Sequence, residues 1–169
     1  AADVLNRFTR DELQHMFSAY GELRNARTLA QACVQFREKK HFRTTADLLA
    51  VCEPLVFGER WRYLSQVFQA LRIEVNDERG ALRDFLANAT EMLRNGGRLV
   101  VITYHSLEDR PVKNWLKTGN VEGVVQQDFY GNIERPFKIL TKKPLEATKK
   151  EVQENPRARS AKLRIGEKL

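Results

Sequence analysis

The chain has 169 residues, 42% of them hydrophobic and 30% charged, with a formal net charge of +7. That length suits one domain with a real core, or a small domain plus part of another. No apolar run approaches the roughly 20 residues of a membrane span, there is no signal-peptide pattern, and Cys33 and Cys52 lack metal-ligand spacing, so the expectation is a cytoplasmic protein with buried free thiols, no metal and no membrane partner.

The first residue is Ala1, and the sequence opens inside what reads as a continuing segment, so a longer parent protein is expected. Residues 1–50 read as helical. Thr9 and Glu12 have capping-box spacing, and Leu13, Met16, Phe17 and Tyr20 follow at helical intervals before Gly21. A second helix is expected over 22–39. A third, capped by Thr44 or Thr45, runs to the neighbourhood of Pro54. The apolar stripes of these short helices are narrow, so they need a further surface to pack on.

Residues 57–63 read as a connector. From 65 to about 95 the pattern is helical nearly throughout, with Gly80 expected to break or kink it and Gly96-Gly97 to end it. RLVVIT (98–103) then reads as a parallel strand buried on both faces. The order helix, Gly-Gly, strand, polar turn, helix is a unit of a doubly wound α/β sheet. Two more strands, at 137–145 and 161–169, are joined by residues holding Pro156 and a short helical stretch, which suits antiparallel neighbours.

Chemistry concentrates where RLVVIT ends. Ligands in open α/β sheets bind beyond the carboxyl ends of strands, and Tyr104, His105 and Ser106 stand there, followed by Asp109 and Arg110. Helix capping accounts for Ser106 and Asp109, with Asp109 preferred because it places Pro111 in the first turn. Capping does not account for His105 beside Tyr104. Arg72 and Asn76, four apart on one helical face, either pair at the surface with Glu74 or Asp77 or face the same pocket as His105.

The positive charge is local. Residues 1–60 carry 9 basic and 8 acidic side chains and residues 61–135 carry 10 of each, whereas residues 136–169 carry 10 basic and 4 acidic. In that tail Lys142, Lys143, Arg157, Arg159, Ser160, Lys162 and Arg164 suit phosphate oxygens. For Arg157, Arg159, Lys162 and Arg164 around Ser160, a charge-protected edge strand is the alternative account. Residues 1–58, at only +1 net, offer no basic recognition helix for DNA.

FQALRIEVNDE, GGRLVVITYHSLEDRPVK, ILTKKP and NPRARSAKLR, in this order and spacing, resemble the RsmH/MraW family of S-adenosylmethionine-dependent methyltransferases, which modify the exocyclic amine of a cytidine in 16S rRNA. ADVLN and YGE resemble the family's helical insertion. The resemblance implies the C-terminal half of a class I, Rossmann-like methyltransferase sheet at 59–169 and a small all-α insertion domain at 1–58. RLVVIT would be the fifth strand, and 137–145 and 161–169 the last two. It implies catalytic roles at the turn of His105, Ser106 and Asp109, pocket support from Arg72, Asn76 and Arg110, a cofactor contact at Asn6, and 16S rRNA of the small ribosomal subunit as partner.

The chain departs from the family pattern in lacking the Gly-rich cofactor loop. Leu23 and Pro111 also stand where the family tends to have a glutamate and an aliphatic residue. Residues 1–169 alone are therefore expected neither to methylate nor to hold S-adenosylmethionine, and the unpaired edge of RLVVIT is expected to invite a homodimer. A non-catalytic RNA-binding module is the alternative reading.

Overall fold

Capping chemistry starts the helices where the sequence places them. The computed structural model describes residues 1–125, 127, 129 and 135–169. After α1 (Ala2–Arg7), Thr9 opens α2 (Arg10–Ala19): the Glu12 N–H donates to Thr9 Oγ1 at 3.3 Å and the Thr9 N–H to Glu12 Oε2 at 2.7 Å. Gly21 then turns the chain so tightly that a Cβ there would stand 2.7 Å from the Phe17 carbonyl oxygen. Glu22 follows at φ 52°, so the next helix, α3 (Ala26–Lys39), starts later than residue 22. Of the two threonines, Thr44 caps α4 (Thr45–Cys52), which runs into a 3-10 turn at Glu53–Leu55.

The described residues divide into two compact units, Ala1–Glu78 and Arg79–Leu169. In the first, α5 (Arg60–Val75) supplies the surface that the narrow stripes of α1–α4 require. Its Leu64, Val67, Ala70 and Leu71 share one core with Leu13, Phe17, Leu29 and Leu48. The compact unit thus runs twenty residues past the expected boundary at 58, because α5 packs with the helices before it. Cys33 and Cys52 are fully buried there, and burial pushes both thiols up to about 12. The Asp47 carboxylate takes the Lys40 ammonium at 2.6 Å and the Thr44 N–H at 2.8 Å, which holds its pKa far below the ordinary carboxylate range.

The long helical stretch breaks at Asn76-Asp77, with Asp77 at φ 45°, and Gly80 lies inside the following α6 (Glu78–Met92). The expected break at Gly80 is corrected accordingly. Arg72 pairs with Glu78 across this break, at 2.8 Å and 3.0 Å.

The second unit holds β1 (Arg98–Thr103), α7 (Ser106–Thr118), β2 (Phe137–Ile139), β3 (Leu145–Glu146), α8 (Lys149–Glu154), a 3-10 turn at Pro156–Ser160 and β4 (Lys162–Lys168). The sheet order is β1-β4-β2, with β3 also on β4, and every one of these pairings is antiparallel. β1 and β2 therefore run parallel to each other with β4 between them. Two expectations change. RLVVIT is not buried on both faces: Val100 and Ile102 are each about half exposed, whereas Leu99 and Thr103, on the alternate face, are buried. Residues 161–169 are not an edge strand, since β4 is the one that β1, β2 and β3 all join.

The core of this unit gathers Leu86, Leu99, Val112, Leu116 and Phe137. Gly166 on β4 lies beneath α7 and β2, and a Cβ there would come within 2.6 Å of Leu116 Cδ2 and 3.1 Å of Phe137 Cβ. Gly166→Val is expected to destabilise the second unit by about 1–3 kcal/mol through overpacking, read as a lowered urea midpoint for that unit's transition. An unchanged midpoint would mean that α7 lifts off the sheet freely.

Candidate functional site

The turn after β1 is built from capping groups and one ion pair. His105, in extended backbone, is the N-cap of α7, and its Nδ1 accepts from the Leu107 N–H at 3.2 Å. Glu108 reaches back so that the Tyr104 N–H donates to its Oε2 at 2.9 Å. These two bonds satisfy amides on both sides of the helix start, a variant of the capping box with an imidazole in the hydroxyl's place. Sequence reasoning gave the cap to Asp109 with Pro111 in the first turn. The structure gives it to His105, and Pro111 lies buried inside the helix.

Asp109 has a different task. Arg164 Nε donates to its Oδ1 at 2.7 Å and Nη2 to its Oδ2 at 2.9 Å, a bidentate fork between α7 and β4. Both residues are buried. The Thr103 hydroxyl lies 3.4 Å from Asp109 Oδ1 and 3.4 Å from the Lys162 carbonyl oxygen, and Lys162 Nζ is 3.9 Å from Oδ2. The Arg164 hydrogen bonds hold the Asp109 carboxyl below the usual carboxylate range. Arg164 is thereby removed from the set of phosphate-binding cations expected in the tail, because its guanidinium is committed to Asp109 away from solvent. The alternation of KLRIGEK gave no signal for this, because it sets Leu163 and Ile165 on one face and Arg164 with Lys162 on the other, which reads as an outward arginine.

The arrangement leaves His105 with a defined chemistry. Since Nδ1 accepts a hydrogen bond, the neutral imidazole carries its proton on Nε2 and offers a donor there. Tyr104 is more than half exposed, and Ser106 and Arg110 are exposed on the same turn. The turn contains no glycine, and Gly96-Gly97 stand on the helix-to-strand side of β1. The described residues therefore build no glycine cradle for a nucleotide cofactor. Among them, no three His, Cys, Asp or Glu side chains are placed to hold a metal ion, and no helix is long and apolar enough to cross a membrane.

The other expected site residues fall as follows. Arg72 and Asn76 meet at Glu78, not at Glu74 or Asp77, with Asn76 Nδ2 donating to Glu78 Oε1 at 3.3 Å. Both line a cavity of about 410 Å³ within the first unit. Asn6 pairs with the Phe42 backbone: Nδ2 donates to the Phe42 carbonyl and Oδ1 accepts from the Phe42 N–H, each at 2.9 Å. It ties α1 to the loop before α4. Lys142, Lys143, Arg157, Arg159 and Ser160 are exposed and Lys162 is partly so.

The second unit is thus a mixed α/β fold with a donor-bearing turn at the carboxyl end of β1 and exposed cations towards its C-terminus. The chain belongs to the MraW methylase family, which it matches over residues 1–169. It is 53% identical to the ribosomal RNA small subunit methyltransferase H of Parabacteroides distasonis, over 100% of this chain and 56% of that protein. It is 55% identical to the one from Phocaeicola vulgatus and 53% to the one from Bacteroides thetaiotaomicron, in each case over 99% of this chain and 56% of the relative. The chain thus spans about half the length of these curated relatives.

Removing one partner of a buried fork leaves the other uncompensated. Arg164→Met and Asp109→Asn are each expected to cost about 3–5 kcal/mol, read by denaturant unfolding, since the first orphans a buried carboxylate and the second a buried guanidinium. The pH dependence has a definite sign. The folded pKa of Asp109 is depressed, so its stabilisation is fully present above its unfolded pKa of about 4 and is lost as pH falls from there through the folded value. Asp109→Asn should flatten that part of the acid limb. An unaltered limb would show that the pair contributes nothing.

Proposed function

We infer that this chain forms part of an S-adenosylmethionine-dependent enzyme that methylates the exocyclic amine of a cytidine in 16S rRNA of the small ribosomal subunit, in the cytoplasm. On this reading residues 59–169 are the C-terminal half of its class I catalytic domain and residues 1–58 its helical insertion. The observation that carries it is the β1–α7 turn, with His105 held at the carboxyl end of a sheet strand by its own capping bond. The names of the relatives support the substrate class.

A cytosine amine is a poor nucleophile because its lone pair is delocalised into the ring. Catalysis therefore depends on fixing the ring and its nitrogen in the reactive geometry, on a base splayed out of any stack. His105 Nε2–H suits an acceptor on that ring, its carbonyl oxygen or ring nitrogen, better than it suits the amine's own protons. Ser106 adds a hydroxyl on the same turn. Asp109 works through position, since both its oxygens already serve Arg164. Arg110 is assigned a supporting role on that turn. S-adenosylmethionine supplies the methyl group, but the residues present do not fit it, lacking a glycine turn between strand and helix, and Asn6 pairs with the Phe42 backbone. Residues 1–169 are accordingly inactive alone.

A second reading, a non-catalytic RNA-binding module, draws on the exposed cations Lys142, Lys143, Arg157 and Arg159. β1 ends the strand order of the described sheet, and such an edge favours added strand pairing, including a dimer of two copies.

In the intact enzyme His105→Ala should lower methylation of small subunits by about 10²-fold or more, and unchanged turnover would remove His105 from the site. Calorimetric titration of residues 1–169 with S-adenosylmethionine should give no binding tighter than millimolar. Micromolar binding would overturn the incomplete-site reading.

A further inference from the structure

The second unit carries a groove that the β1–α7 turn does not use. It encloses about 520 Å³ between α7 and β2. Lys113 and Lys117 project into it from α7, Arg135 and Lys138 from the approach to β2 and from β2 itself, and Lys142 from the loop beyond. All five are exposed, no acidic side chain lines the groove, and among the described residues none of the five meets a carboxylate. Leu116, Phe137 and Ile139 make the floor apolar. Arg164, also at its wall, is already neutralised by Asp109.

Among the described residues these five cations stand around an apolar floor with no carboxylate against them. Like charges gathered in this way repel, which an anionic ligand would relieve. A ligand that relieves this needs several negative charges at short intervals and a flat, weakly polar face. Lys113 and Lys117 stand about 6 Å apart along the helix axis, four residues at 1.5 Å each, which suits successive anionic groups on one strand. A duplex would bury its base faces in the stack, whereas a single strand presents phosphate, ribose and base together.

We propose that this groove is a binding site for single-stranded RNA, with Lys113, Lys117, Lys138 and Lys142 on phosphates, Arg135 at the rim, and a ribose or base face over Ile139. It rests on the proposed RNA substrate but names a surface separate from the His105 turn. Four of its five cations fall outside the residues that the tail's charge run pointed to.

The test is fluorescence anisotropy of a short single-stranded oligouridylate with the intact protein, repeated across potassium chloride concentrations. Each phosphate contact on a single strand contributes about 0.7 to the slope of log K against log salt, so replacing three lysines should lower it by about 2. The groove variant is Lys113→Gln, Lys117→Gln, Lys138→Gln. A control of equal charge, Arg94→Gln, Lys149→Gln, Lys150→Gln, lies outside the groove. We expect the groove variant to bind roughly tenfold or more weakly with that loss of slope, the control to change little, and both to keep the wild-type melting temperature. Equal loss in both variants would overturn the proposal in favour of diffuse charge. No loss in the groove variant would overturn it outright. A polyglutamate peptide bound as tightly, with the same dependence on the groove lysines, would replace RNA by an acidic protein. Methylation is scored separately. Groove-dependent binding without methylation removes the enzymatic reading and leaves the groove, whereas methylation with groove-independent binding does the reverse.

Discussion

The fork between Asp109 and Arg164 joins residues 55 apart in sequence and sets the geometry of the second unit. One partner sits in the first turns of α7 and the other on the strand that every other strand joins. Two charges withdrawn from water are tolerable only because the guanidinium matches both carboxylate oxygens, with Thr103 and Lys162 nearby. The result is orientation. An apolar contact would let α7 slide or rotate on the sheet, whereas a planar fork fixes its angle, and with it the place where His105 and Ser106 emerge.

Around that anchor the helix start is satisfied twice over, by His105 on the Leu107 amide and by Glu108 on the Tyr104 amide. Using an imidazole as cap has a chemical consequence that a serine cap lacks. It selects the tautomer and leaves an N–H at the far side of the ring. Capping thus does account for His105, contrary to the reading of the sequence, and the donor at Nε2 is what the proposed role draws on. The first unit follows a different logic: a threonine–glutamate box, a threonine–aspartate box and a single apolar core closed by α5.

Much of this was legible from local pattern. The Thr9 cap, the choice between Thr44 and Thr45, the helix periods and antiparallel pairing with residues 162–168 follow from spacing, because capping and periodicity are short-range, whereas the expected strand over 137–145 is two short strands, β2 and β3. The break at Asp77 was misplaced onto Gly80, since glycine is the stronger local signal, whereas the Arg72–Glu78 pair across the break spans six residues. Among site residues, His105 was visible as an unexplained polar group at a strand end. Arg164 was read as a surface cation because a run of arginines looks alike until the pleat turns one inward. Lys113, Lys117 and Lys138 were invisible as a group, being spread over a helix and a strand that meet only in the folded chain.

By itself, then, the sequence determined the helices, the strands, the basic tail and the family, all of which depend on residue type and on spacings of a few positions. Tertiary structure alone decided the central place of β4, the half-exposed face of β1, the commitment of Arg164 to Asp109 and the collection of lysines into one groove. Each of these is set by which distant segments share a core, and hydrophobic burial has no sequence register of its own until strands pair and a helix covers them.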